Sequence, residues 1–332
     1  MFSVRSWFRR HHTPVLGIDV SPAGIRIMEL VREGKNFRVA HCAQESVPAG
    51  TFRDGSFSQM ELLTESLRRT LKRSGPRLRT AAMALPSGTV IKKKLTLPAS
   101  MYDEELEMQV EAEASQTLPF SLDDISLDFA TVGPSATHEG YVDVMLVAAR
   151  KERIDERFTL AETMGLRPLV IDIESQVMTA SLGLLDSDRD THHNQPVALL
   201  QLCTDGSHCY VMLNGLVIFE REMGLSLPRF DQEKSRAAME SIREAICQEL
   251  TRALQLFSTS TRHSRVAHLY VAGSIQALGA DLATFVEHQV GIPCSLPDPF
   301  ACMHAPSMDV QLREDAPAFL VACSLALRSF ST

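Results

Sequence analysis

Apolar residues alternate along Leu16–Val31, LGIDVSPAGIRIMELV, and predict two strands joined by a turn at Pro22–Gly24. Asn36–Val47 reads as a third strand that ends at Pro48-Ala49-Gly50. In Phe57–Arg73 the period changes, and Met60, Leu63, Leu67 and Leu71 fall on one face of a helix stopped by Ser74-Gly75-Pro76. Arg79–Leu85 returns as a strand. Three meandering strands, a helix and a returning strand predict a mixed sheet with helices packed on it.

A self-contained unit follows. Thr89–Leu97 alternates as a strand, and a helix capped by Ser100 or Asp103 runs to Thr117, acidic in its first turn as the helix dipole favours. Leu118-Pro119-Phe120 ends it. Ile125–Gly133 and Tyr141–Arg150 read as paired strands, and Lys151–Met164 as a closing helix. Pro86–Met164 is therefore expected to be a small α+β subdomain inserted into a first lobe.

The pattern then repeats. Leu166–Ile173 is a strand and Glu174–Leu185 a helix. After a polar stretch, Val197–Leu202, Ser207–Leu213 and Leu216–Glu222 form a second meander with an Asn214-Gly215 hairpin turn. Gln232–Thr259 is a long helix whose Ile242, Ile246, Leu250, Leu254 and Phe257 share an apolar face. His268–Ala272, Ala280–Val290, Pro293–Leu296 and Pro317–Arg328 complete a strand, helix, strand, helix sequence.

The 332 residues suffice for two lobes, and a net charge of −8 argues against a general nucleic-acid binder. Seven cysteines without a Cys-x-x-Cys pair predict reduced thiols and a cytoplasmic protein. Met1–Pro14 joins Phe2, Trp7 and Phe8 to Arg5, Arg9 and Arg10, which suits either a frayed tail or a segment touching an anionic membrane face. Asp186, Asp188, Asp190, His192 and His193 share a linker without fixed geometry, so a solvated hinge is expected there rather than a metal site. No Walker loop, Gly-x-Ser-x-Gly or His-Glu-x-x-His motif occurs. Asp19 stands out as a carboxylate inside an apolar strand. It either caps the turn that follows or faces phosphates and a metal. Asp172 and Glu174 follow a first-lobe strand and read as turn and helix caps.

Several stretches carry a closer likeness: Gly17-Ile18-Asp19-Val20 with Glu29-Leu30, Leu118-Pro119-Phe120 with Asp128-Phe129, and Val142-Asp143-Val144 with Ala148-Ala149-Arg150-Lys151. Asp172-Ile173-Glu174, Arg252–Phe257 and Leu325–Phe330 extend it over residues 15–330. In these the chain resembles the PilM family of type IV pilus machines. The resemblance implies an actin-like, FtsA-like α/β fold of the ribonuclease H-like kind, two-lobed with an inserted subdomain 1C. It divides the chain into a tail (1–14), 1A (15–85 and 165–195), 1C (86–164), 2A (196–222 and 266–332) and a reduced 2B (223–265).

The resemblance also implies a scaffold that binds the cytoplasmic tail of the inner-membrane protein PilN in a groove between 1A and 1C. Through PilN it reaches PilO, PilP and the assembly and retraction ATPases, so the protein is expected at the inner membrane by way of its partner. Ile91, Leu95, Leu97, Glu107 and Glu111 are the expected partner contacts. Family members bind ATP between the lobes. Here the corresponding residues are Asp19, Ser21, Gly24, Asp205, Gly273 and Ser274, with Asp19 as the Mg²⁺ ligand.

This sequence departs from the family at that site. Pro22 and Ala23 replace hydroxylated residues, and Pro22 has no N–H for a phosphate. Gln201 and Cys203 stand where the family has Asp and Gly, and Ala272-Gly273-Ser274 replaces Ala-Gly-Gly. The expectation is a degenerate site with no ATPase activity, no required cofactor and at most weak Mg-ATP binding. The alternatives are an ATP-dependent switch and a self-associating filament former.

Overall fold

The computed structural model describes residues 13–53, 55–135, 137–185, 194–228, 235–301, 303–305 and 309–330. Most of the aromatic, basic tail and the Asp186–His193 cluster lie outside the described residues.

Strands β1 (Leu16–Ser21) and β2 (Gly24–Glu33) form an antiparallel hairpin, and β3 (Asn36–Glu45) pairs with β2. A short hairpin of β4 (Phe52–Arg53) and β5 (Ser56–Phe57) follows, so the first helix, α1 (Met60–Ser74), begins three residues later than its pattern predicts. Phe57 belongs to that hairpin because its ring packs edge-on against Phe52, at 5.5 Å between centroids. β6 (Thr80–Leu85) returns parallel to β1.

β7 (Val90–Pro98), β8 (Ile125–Pro134) and β9 (Tyr141–Arg150) make a separate three-stranded antiparallel sheet in the order β7-β9-β8. Helix α2 (Asp103–Thr117) lies on it, with Val110 and Ala114 fully buried against Leu95, Leu97, Val144 and Leu146. Neither Ser100 nor Asp103 caps α2. The preceding residue is Tyr102, whose N–H donates to the Glu105 carboxylate at 3.1 Å. Helix α3 (Lys151–Thr163) turns its Ile154, Leu160 and Ala161 into the core of the first sheet. β10 (Arg167–Ile173) completes that sheet in the order β3-β2-β1-β6-β10, and α4 (Glu174–Leu185) follows it.

The second lobe repeats this order. β11 (Val197–Leu202), β12 (Ser207–Leu213) and β13 (Leu216–Met223) meander antiparallel. The hairpin turn between β12 and β13 places Asn214 at φ 52° and Gly215 at φ 79°, the left-handed pair that suits the twist of the strands. After α5 (Arg236–Ser260), β14 (His268–Gly273) pairs parallel with β11. Then come α6 (Leu282–Val290) and β15 (Cys294–Ser295), which gives β13-β12-β11-β14-β15. Both sheets therefore have the same order and the same mix of antiparallel and parallel pairs.

α7 (Val310–Glu314) was not evident in the sequence pattern. The closing segment is a 3₁₀ turn, Ala316–Phe319, followed by α8 (Leu320–Leu327). Every residue of α8 is buried, so it has no polar face to give a helical period. Together α4 and α8 fill the space between the two sheets in one core with Met28, Leu199 and Tyr270.

Candidate functional site

The alternation in β1 sends Leu16, Ile18 and Val20 into the core beneath α3 and turns Gly17 and Asp19 the other way. Gly17 meets α8 and Asp19 reaches the space between the lobes. Asp19 is only 6% exposed. Its partner is Arg26, which stands opposite it in the β1–β2 register, with Nη1 to Oδ2 at 3.5 Å. The Arg26 guanidinium continues across the gap. Nη2 donates to the Ser274 hydroxyl at 2.5 Å and lies 3.8 Å from Asp315. One buried cation therefore ties the first lobe to two segments of the second. Burial raises the Asp19 carboxyl to about 6, while Arg26 pulls it down.

Glu174 opens α4 and turns its side chain into the same cleft instead of capping the helix as the sequence suggests. The Gln201 amide donates to it at 2.9 Å, and the Tyr210 hydroxyl donates to Gln201 at 3.2 Å. Gln201 thus occupies its place as a neutral bridge between carboxyl and phenol. Burial, then the nearby Asp19, push Glu174 from 4.5 up to about 8. Asp205 is also raised, chiefly by burial. Asp172 is paired instead with Arg328, away from the cleft lining.

A carboxyl raised on folding binds more protons in the folded state, so its contribution to stability falls as pH climbs from the unfolded toward the folded value. For Glu174 that window is 4.5 to about 8. Glu174→Gln keeps the acceptor for Gln201 and removes the charge. Its melting temperature is expected to match the parent near the bottom of that window and to exceed it by about 2–4 °C above the top. Identical pH profiles in thermal melts contradict this.

Asp19, Ser21, Asp205, Gly273 and Ser274 all line the cleft, together with Pro22, Ala23, Arg26, Glu174 and Gln201. Gly24 does not. It pairs with Ser21, and a Cβ there would stand 2.8 Å from the Glu45 carbonyl. Gly273 has a packing reason to be glycine: φ is +118° and a Cβ would lie 2.1 Å from the Leu202 carbonyl. The free space at the cleft floor is about 50 Å³, enough for a water or two. Among the described residues no group of three His, Cys, Asp or Glu side chains is placed to hold a metal ion. Asp19 in particular faces a guanidinium.

The partner contacts expected from the sequence do not come together. Leu95 and Leu97 are buried at 6% and 7% exposure under α2, because the strand face they share is the one the helix covers. Glu111 points to solvent and Glu107 is half-buried on α2, and neither lines a hollow. Ile91 does line one. A hollow of about 300 Å³ lies beyond the C-terminal end of α2, walled by Ile91, Pro119, Phe120, Ile125, Arg150 and Arg153. Arg150 sits over the Phe120 ring at 4.3 Å. The hollow is apolar with a basic rim, opposite in charge to the acidic surface expected from α2. Phe120 and Arg150 were visible only as members of a motif.

A family model described as type IV pilus assembly protein PilM matches residues 17–237 and 228–330. The chain belongs to the PilM family. A chain of a PilM–PilN type IV pilus biogenesis complex superposes with a TM-score of 0.80 at 22% identity, covering 97% of this chain and 100% of that one. The ethanolamine utilization protein EutJ from Carboxydothermus hydrogenoformans superposes with a TM-score of 0.50 at 11% identity, covering 98% and 94%. These likenesses and the duplicated sheet order show the actin-like, two-lobed α/β fold in this PilM-family chain.

Proposed function

We propose that this chain is a scaffold of the type IV pilus inner-membrane alignment complex, and that it binds the cytoplasmic N-terminal tail of a PilN-like protein without using nucleotide. The observation that carries the reading is Arg26. Its guanidinium occupies the cleft floor beside Asp19 and is bonded to Ser274, where a metal-bound phosphate tail needs open space. A triphosphate there also meets Glu174 and Asp205 and a Pro22 that has no N–H to donate. The cleft floor is thus occupied by protein groups, and Arg26 joins the lobes without a ligand.

The tail is assigned to the hollow at Ile91, Phe120 and Ile125. An extended segment with alternating apolar residues would seat them there, and Arg150 and Arg153 would meet backbone carbonyls. PilO, PilP and the pilus ATPases are reached through that partner. No helix among the described residues is long and apolar enough to cross a membrane, so recruitment to the inner membrane from the cytoplasm is assigned to the tail.

Fluorescence anisotropy with a labelled partner tail peptide tests the assignment. Ile91→Asp and Phe120→Ala are each expected to weaken binding about tenfold or more, because anchors in a desolvated pocket dominate such interfaces. Glu111→Ala, away from the hollow, is expected to leave it unchanged. Wild-type affinity in both hollow variants contradicts the site.

A further inference from the structure

The end of the first sheet where the chain enters β1 collects positive charge that neither the cleft nor the partner hollow uses. β1, β6 and β10 all begin there. Leu16 of β1 stands opposite Ala81 of β6, and Thr80 of β6 opposite Arg167 of β10. β2 runs antiparallel to β1, so the β2–β3 hairpin, where Glu33 pairs with Asn36, turns at the same end. α1 also finishes there, and Arg77 and Arg79 lie on the link from its last turn to β6. Arg32, Lys35, Lys72, Arg77, Arg79 and Arg167 are thus gathered from distant parts of the chain, and all six are exposed. None of them forms an ion pair with a described residue. Of the described carboxylates at this end, Glu33 is bonded to Arg38 at 2.6 Å and Glu29 is buried, while Glu162 on the last turn of α3 is exposed.

The fold holds this surface in place. The buried Glu29 carboxylate accepts from the backbone N–H groups of Arg77 and Leu78 at 2.8 and 3.1 Å, which pins the link while both of its arginines stay exposed. The Arg167 N–H donates to the Arg79 carbonyl at 2.7 Å. The Thr80 hydroxyl donates to the Pro14 carbonyl at 2.7 Å, so the chain enters the fold beside Arg79. Residues 1–12 lie outside the described residues and are joined to the protein at this surface. Their sequence adds Arg5, Arg9 and Arg10 with Phe2, Trp7 and Phe8, and it holds no acidic residue.

Cations beside aromatic rings suit an anionic lipid surface, where the cations meet phosphate groups and the rings enter the headgroup layer. The patch is the end of a sheet, not a groove or a protruding helix, and so matches a plane better than a nucleic-acid duplex. With a net charge of −8, the rest of the surface is repelled by the same lipids, which leaves this end to face them. We propose that this end of the first lobe, together with the segment before Thr13, docks on anionic bilayer lipids. α3 starts at the partner hollow with Arg153 and ends beside Arg167, so the two sites stand about 20 Å apart along one helix. Lipid contact and partner tail then act as two weak signals for one membrane. The lipid contact stands whether or not a tail binds in the hollow.

Trp7 is the only tryptophan in the chain, so its emission reports on this segment alone. The full chain, without any partner, is titrated with phosphatidylcholine vesicles containing about one-third phosphatidylglycerol, and with phosphatidylcholine alone. A saturable blue shift is expected with the anionic vesicles only. It is expected to weaken strongly at about 1 M salt, where the screening length falls to about 3 Å. Arg77→Gln, Arg79→Gln and Arg167→Gln together are expected to raise the lipid needed about tenfold or more. Their melting temperature is expected to match the parent, since the bonds at these positions are made by backbone atoms. Arg236→Gln, Arg262→Gln and Arg265→Gln, exposed on the second lobe, change the net charge equally and are expected to leave binding unchanged. No shift with anionic vesicles, an equal shift with neutral ones, parent affinity in the first variant or an equal loss in the second overturns the proposal. So does tighter binding of a random DNA duplex than of the anionic vesicles, which would make the patch a nucleic-acid contact.

Discussion

Replacing Gly17 by alanine is expected to destabilise the protein strongly. A Cβ at Gly17 would lie 2.0 Å from the Ala322 carbonyl oxygen and 2.8 Å from the Ala326 amide nitrogen. Both are backbone atoms of α8, which is buried throughout its length. No side chain can swing aside, so the helix itself must move, and it is packed against β1, β2, β6 and α4. Overpacking that forces side-chain and backbone shifts costs about 1–3 kcal/mol and occasionally more, and a clash of backbone on backbone belongs at the upper end. A domain is stable by only about 5–15 kcal/mol, so a loss of ~3 kcal/mol or more consumes much of the total. The melting temperature is expected to fall by roughly 5–10 °C, with insoluble expression as the extreme outcome. Gly224→Ala is the control for the same chemical change, since its φ is not positive and the nearest atom to an added Cβ is the carboxylate tip of Glu249 at 4.0 Å. A Gly17→Ala protein that melts with the parent would mean that β1 and α8 are farther apart than described.

The second large effect is expected at Arg26. Arg26→Met keeps the stem and removes the cation between Asp19, Ser274 and Asp315. Breaking a buried pair by removing one partner costs about 3–5 kcal/mol, because the other charge is left unpaired. Arg26 lowers the Asp19 pKa in the parent, so its loss raises that carboxyl above its present value of about 6. The variant must then either bury a naked carboxylate or take up a proton. Its deficit in stability is expected to be largest above the variant's raised Asp19 value, to shrink as the pH falls toward the parent's value of about 6, and to level off below it. The same cross-link joins segments 248 residues apart, so limited proteolysis is expected to speed up as the lobes loosen. A deficit that does not change with pH would assign the loss to packing alone.

The two outcomes concern residues that the sequence presents very differently. The strand pattern was readable because half-buried strands alternate and short turns carry Gly, Pro or Asn. α4 and strands β11 and β12 fall where the pattern puts them. The duplicated sheet order follows from two meanders each trailed by a helix and a returning strand. α8 was harder: a helix buried on all sides has no polar face, and its start differs from the pattern by a 3₁₀ turn. The β4–β5 hairpin was missed because two-residue strands have no period to detect.

At the cleft, Asp19 was conspicuous as a charge among apolar neighbours. Arg26 was not, since an arginine in a strand reads as an ordinary outward position. Only the fold brings it to Ser274 and Asp315. Glu174 looked like a helix cap, and its contact with Gln201 depends on the two lobes meeting. Leu95 and Leu97 show the opposite error. Alternation marks one face of β7 as apolar, but it does not say whether α2 or a partner covers that face.

The central claim is that this PilM-family chain acts as a scaffold that takes its partner's tail with the cleft floor occupied by its own residues. Titrating the labelled tail peptide into nucleotide-free protein, with and without millimolar Mg-ATP, tests it most directly. The account predicts saturable binding without nucleotide and a Kd unchanged within about a factor of two when Mg-ATP is added. Binding that appears only with Mg-ATP, or tightens about tenfold with it and loses that gain in Asp19→Ala, would contradict the claim and identify the cleft as a working nucleotide switch.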